Sequence, residues 1–140
     1  MCFVHRELQR DLRKKTEDLV KKSQKLRIAS FEKNTKCKKA YELRCREFEK
    51  IYEELQAAQA GPPKELDKIK QKEAKAKQAK SLANEEYQAA VGNLEESRVQ
   101  WEKEMENCCK TFQSMEEERL VFLRRYGWLS LHSIIVCSSA

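Results

Sequence analysis

Apolar residues return at intervals of three and four along nearly the whole chain, the spacing that gathers them on one side of an α-helix. From Tyr87 onward one heptad position reads Tyr87, Leu94, Trp101, Cys108, Met115, Phe122, Leu129, unbroken over six steps of seven. A companion stripe runs Ile69, Ala76, Ala83, Ala90 and then drifts to Val91, Met105 and Phe112. Nearer the N-terminus, Leu12, Leu19 and Leu26 form one register, and Cys37, Tyr41, Cys45, Phe48, Tyr52 and Leu55 form another. The change between them, around Ser30 to Lys36, is a discontinuity of the kind that bends or locally unwinds a coiled coil. Aromatics and cysteines in a seam, in place of uniform leucine, argue against a two-stranded zipper. They suit a thicker bundle with a broader buried face.

Strong punctuation occurs once, at Ala60-Gly61-Pro62-Pro63. Helical patterning runs up to it and resumes after it, which marks a hairpin loop at 60–63 between two helices. The pattern predicts a first helix over about 6–59 and a second over about 64–126. At about 1.5 Å per residue each would be roughly 80–95 Å long. The expected fold is therefore all-α: a long antiparallel helical hairpin, itself part of an elongated coiled-coil bundle. Residues 129–140 read as a separate apolar and serine-rich tail.

Composition narrows the choice. The 140 residues include only 3 Gly and 2 Pro, too few for the turns of a β-sandwich or the phosphate loops of a nucleotide-binding fold. The 6 cysteines lie at 2, 37, 45, 108, 109 and 137, without a CxxC pair or metal-ligand spacing. Cys37, Cys45 and Cys108 fall on the apolar stripes, where a thiol acts as a small hydrophobe, so reduced cysteines in a cytoplasmic protein are expected. The uncharged stretch 126–140 is too short and too polar to span a bilayer.

No catalytic constellation is visible. His5 and His132 sit near the two ends, away from any nucleophile. Cys108 and Cys109 point about 100° apart on a helix, so one is a seam thiol and the other a flank thiol. Carboxylate pairs such as Glu85-Glu86 and Glu95-Glu96 lack an apolar pocket. The chain reads as non-enzymatic, with no cofactor and no metal.

Charge is sorted along the chain, whose net charge is +6. Residues 1–46 carry a net +9, residues 64–80 a net +4, and residues 81–118 a net −7. The basic run holds Arg10, Arg13, Lys14, Lys15, Lys21, Lys22, Lys25, Arg27, Lys33, Lys36, Lys38 and Lys39. Two readings stay open at this point. The lysines pair with acidic neighbours across the hairpin, in a purely structural coiled-coil protein without lipid binding. Alternatively they form cationic strips for an anionic partner, either lipid head groups or nucleic-acid phosphate. Nucleic acid is disfavoured, because the aromatics keep seam spacing and are not interleaved with the basic residues as stacking platforms.

Four stretches resemble the F-BAR domain family, and within it the proline-serine-threonine phosphatase-interacting proteins. They are Lys36-Cys-Lys-Lys-Ala-Tyr-Glu-Leu-Arg-Cys-Arg-Glu47, Leu94-Glu-Glu-Ser-Arg-Val-Gln-Trp-Glu102, Cys109-Lys-Thr-Phe112 and Met115-Glu-Glu-Glu-Arg-Leu120. The order and spacing of the blocks carry the resemblance, which covers about residues 6–128. It implies an antiparallel homodimer of long helices whose cationic face lies on anionic, phosphoinositide- or phosphatidylserine-rich membrane. It also implies a role linking membrane curvature to actin regulators, at the periphery of membrane and cytoskeleton. Lys and Arg of the basic run become lipid-binding candidates. The pattern Leu123-Arg124-x-x-x-Trp128 is similar to a phosphatase-docking segment of these relatives, which makes Trp128 the candidate for PEST-type tyrosine phosphatases. The family's N-terminal FCH segment and first long helix have no counterpart in the sequence, so a central piece of a larger bundle is expected.

Overall fold

The computed structural model describes residues 2–59 and 61–138, with side chains placed over 6–59 and 61–135. Ala60, at the expected loop, and Ser139 and Ala140, at the end of the expected tail, lie outside the described residues. Two helices account for almost everything: α1, Cys2–Ala58, and α2, Pro63–Ser138. Among the described residues there is no strand.

The hinge between them has a simple origin. The Gly61 amide donates to the Ala58 carbonyl at 2.9 Å, closing the last turn of α1. The Pro62 carbonyl accepts from the Glu65 and Leu66 amides, opening α2. Pro63 occupies the first helical position, where its missing N–H costs nothing, and Glu65 places negative charge in the first turn. Both helices run longer than the periodicity predicts. α2 continues to Ser138 instead of ending near 126, because neither a proline nor a left-handed glycine stops it. Gly127 is helical, and no glycine has a positive φ.

The chain divides into two compact units. The second unit, Lys25–Val99, contains the hinge and is an antiparallel helix pair. Its seam follows the expected α2 stripes: Tyr87 and Leu94 are half-buried, and Ala90 is 2% exposed. Tyr41 stacks on Tyr87 with ring centroids 6.0 Å apart, and Lys80 Nζ sits 5.0 Å from the Phe48 ring centroid. Val91 is exposed. Tyr52 is exposed as well, and its neighbour Ile51 takes the seam position.

The first unit comprises Met1–Gln24 and Gln100–Ala140. Here Trp101, Met105, Phe112 and Met115 of α2 are half-buried and Cys108 is buried. Arg13 lies over the Phe112 ring at 5.8 Å from its centroid. Gln9 Nε2 donates to Glu118 Oε2 at 3.4 Å, an exposed contact between the two helices of this unit. Phe122 and Leu129 continue the α2 stripe but are exposed.

The α1 stripes differ from expectation. Leu12, Leu19 and Leu26 are 47%, 51% and 54% exposed. The inward positions are instead Thr16, Val20 and Ser23 in the first unit and Arg27, Ser30, Asn34, Cys37 and Tyr41 in the second. Leu19 and Leu26 each precede an inward residue by one, which turns them about 100° away from α2. Steps of four and three continue through Ser30 to Lys36, so what changes there is the chemistry of the seam rather than its phase. Ser23 is 4% exposed and its hydroxyl donates to the Val20 carbonyl at 3.0 Å. Asn34 Oδ1 is buried without a hydrogen-bond partner.

Two outcomes follow from this seam. An unsatisfied buried acceptor costs about 1–3 kcal/mol, so Asn34→Leu should raise the thermal midpoint followed by circular dichroism. Burial, aided by Cys109 and Glu17, pushes the Cys108 thiol up from its ordinary value, whereas Cys109 is exposed. Iodoacetamide at neutral pH should therefore modify Cys109 well before Cys108, read by peptide mass spectrometry.

Candidate functional site

A cationic side chain serves a large anionic partner only if its charge stays in water and is not already neutralised by a neighbour. The eleven lipid-binding candidates, Arg10, Arg13, Lys14, Lys15, Lys21, Lys22, Lys25, Lys33, Lys36, Lys38 and Lys39, are all exposed. Arg27, from the same run, is half-buried at the seam. Among the described residues, none of the eleven lies within ion-pair distance of a carboxylate on the other helix. Lys38 meets Glu42 one turn along α1, at 4.0 Å. Pairing with the acidic stretch across the hairpin, the structural alternative, is thus not what occupies these candidates.

Three acidic residues of α2 have cationic partners close by on the same helix. Arg98 holds Glu95 through two hydrogen bonds, at 2.8 and 2.7 Å, and Arg119 holds Glu116 at 2.9 and 2.6 Å. Lys110 donates to Glu106 at 2.5 Å. Each contact lowers the carboxylate's pKa, with the hydrogen bond as the largest cause. These pairs are exposed and sit three or four residues apart, so they support helix α2 rather than tie it to α1.

Position on the helix sorts the basic residues further. In the first unit Arg10, Lys14 and Lys21 project within about 40° of one another, at 100° per residue. Lys15 and Lys22 project beside the exposed Leu12 and Leu19 instead. Arg6, Arg10 and Arg13 line an open groove with Gln9 and Met115. Arg6 was not among the sequence candidates, although its spacing of four and seven to Arg10 and Arg13 was the available signal. In the second unit Lys25, Lys33, Lys36 and Lys39 are exposed on α1. Trp128 is 71% exposed near the end of α2, so it is not packed against the helix pair.

No family model matches the chain. Among curated proteins, it is 30% identical over 130 residues to proline-serine-threonine phosphatase-interacting protein 1 of Mus musculus, covering 92% of this chain and 31% of that protein. The Homo sapiens counterpart is 32% identical over 127 residues, covering 89% and 30%. Septation protein imp2 of Schizosaccharomyces pombe is 35% identical over 65 residues, covering 46% and 10%. The chain thus spans about a third of the length of the first two relatives. Among solved structures, the Imp2 F-BAR domain superposes with a TM-score of 0.67 at 25% identity, over 85% of this chain and 39% of that one. Long helices, an aromatic and small-residue seam, and an exposed basic helix face agree with these relationships. The chain has the fold of an F-BAR domain and is similar to the proline-serine-threonine phosphatase-interacting proteins over about a third of their length.

Proposed function

We propose that this chain is a non-enzymatic adaptor that binds anionic membrane through the basic face of α1. In the same reading it couples membrane curvature to the actin cytoskeleton and to phosphatase signalling, as a peripheral cytoplasmic protein. The observation that carries the membrane role is the exposure of all eleven cationic candidates without a carboxylate from the other helix. A surface of anionic lipid attracts each Lys or Arg by about 1 kcal/mol, so individually weak contacts sum along a helix. Lipid preference follows charge more than shape on so open a surface, and phosphatidylserine or phosphoinositides supply it.

The exposed leucines support a second element of the reading, a homodimer. Leu12 and Leu19 in the first unit and Leu26 in the second leave apolar surface in water that the helix pair does not cover. A second copy of the chain offers a matching stripe. Trp128 stands open to a partner, and the resemblance makes it the residue for docking a PEST-type tyrosine phosphatase.

Reversing Lys14, Lys15, Lys21 and Lys22 to Glu removes at least about 4 kcal/mol of attraction, close to a thousandfold in affinity. Co-sedimentation with phosphatidylserine vesicles should be lost while helicity by circular dichroism is retained. Equal pelleting of the parent chain with neutral and anionic vesicles would remove the lipid role. For the dimer, Leu12→Glu with Leu19→Glu should halve the mass measured by light scattering. An unchanged mass would place the interface elsewhere.

A further inference from the structure

Helix α2 ends in a segment that neither the basic face nor the seam accounts for. From Arg119 to Ser138 there are three arginines, Arg119, Arg124 and Arg125, and no Asp or Glu. Arg119 is engaged by Glu116, while among the described residues Arg124 and Arg125 lie in no ion pair. Beyond them, Tyr126, Trp128, Leu129, Leu131, Ile134 and Ile135 are all between 49% and 71% exposed. At 100° per residue, Ile134, Leu131, Ile135 and Trp128 fall within about 120° of the helix surface, and Leu129 extends the spread to about 220°, past the exposed His132. The remaining sector carries the small hydroxyls of Ser130 and Ser133.

A coiled-coil neighbour covers a narrower stripe than this, and would leave part of the apolar surface in water. A helix whose apolar side chains spread this widely, with serines and a histidine between them, is suited to an apolar–polar boundary. Tyr126–Ser138 is 13 residues, about 20 Å of helix, whereas the hydrocarbon core is about 30 Å thick. No helix among the described residues is long and apolar enough to cross a membrane. The segment therefore suits partial insertion, lying in one leaflet at the boundary of head groups and acyl chains. The arginines immediately before it match anionic head groups, and Tyr126 and Trp128 are the residue types that favour that depth. The groove of Arg6, Arg10 and Arg13 belongs to the same unit, so cationic and apolar features share one unit.

We propose that Tyr126–Ser138 is a membrane-inserting helix, anchored by Arg124 and Arg125 on anionic head groups and by Trp128, Leu131 and Ile135 in the outer acyl region of one leaflet. This goes beyond the electrostatic reading above: attraction by the basic face needs no insertion, and insertion resists salt that dissolves the electrostatic contact.

Tryptophan fluorescence of the full chain tests it, using phosphatidylserine/phosphatidylcholine vesicles with and without brominated acyl chains. The Trp128→Phe chain is measured alongside, so that the difference between the two reports Trp128 rather than Trp101. Insertion gives a blue shift and bromine quenching of the Trp128 signal that persist at high salt. Leu131→Glu with Ile135→Glu, at exposed positions, should lower partitioning about tenfold or more and abolish quenching, with helicity unchanged. Salt-sensitive vesicle binding without any shift or quenching of Trp128 overturns insertion and leaves the basic face standing. Absence of vesicle binding altogether defeats both readings. A shift that follows protein concentration and ignores vesicles assigns the segment to a second copy. A shift produced only by a phosphatase segment assigns it to that partner, and either result overturns the proposal.

Discussion

A pair of helices can bury only one stripe on each, and every other face of either helix stays in water. This constraint governs the molecule. In the second unit the stripe on α2 is well furnished, with Tyr87, Ala90 and Leu94 set against Tyr41, Cys45 and their neighbours. Ala90 keeps the contact close, because a small side chain lets two backbones approach. In the first unit Trp101, Cys108, Phe112 and Met115 provide bulk, and Ser23 supplies the small inward position on α1. What the stripes leave out is as informative as what they hold.

Leu12, Leu19 and Leu26 are left out, and so are the lysines around them. Leu19 and Leu26 lie one residue from inward Val20 and Arg27, which is unusual for a hairpin meant to stand by itself, because large apolar side chains are kept off its internal contact. The arrangement fits a chain that meets further helices. Asn34 carries the same message: a buried amide oxygen with no hydrogen-bond partner lowers stability, and such residues in a seam are known to specify register. The seam of α1 is thus modest in strength and selective in alignment.

Electrostatics divides along the same lines. Glu95, Glu106 and Glu116 of α2 are held by arginine or lysine one turn away on their own helix, through hydrogen bonds that lower their pKa. Among the described residues the lysine candidates of α1 also find no carboxylate on the other helix, although the opposed net charges of residues 1–46 and 81–118 suggest one. Local pairs win because residues three or four apart are already held in place by the backbone, whereas pairing across two helices must also restrain both side chains. The basic face of α1 and the arginines that precede the apolar end of α2 both remain available to an anionic surface.

Much of this was legible in the sequence. Helical character, the hinge at Gly61-Pro62-Pro63, the α2 stripe from Tyr87 to Met115 and the family relationship all follow from spacing and residue type, which act locally. Three matters depended on tertiary structure. Periodicity marks a stripe without saying which helix covers it, so Leu12, Leu19 and Leu26 looked like a seam and are not one. Opposite charges on two segments do not reveal whether a nearer partner has been taken, as Arg98 and Arg119 show. The apolar and serine-rich residues from 129 onward read as a separate tail, and continuation of the helix through Gly127 to Ser138 makes them part of α2. Sequence determines which residues can share a face, and only the packing of one helix on another decides which face is left for the rest of the cell.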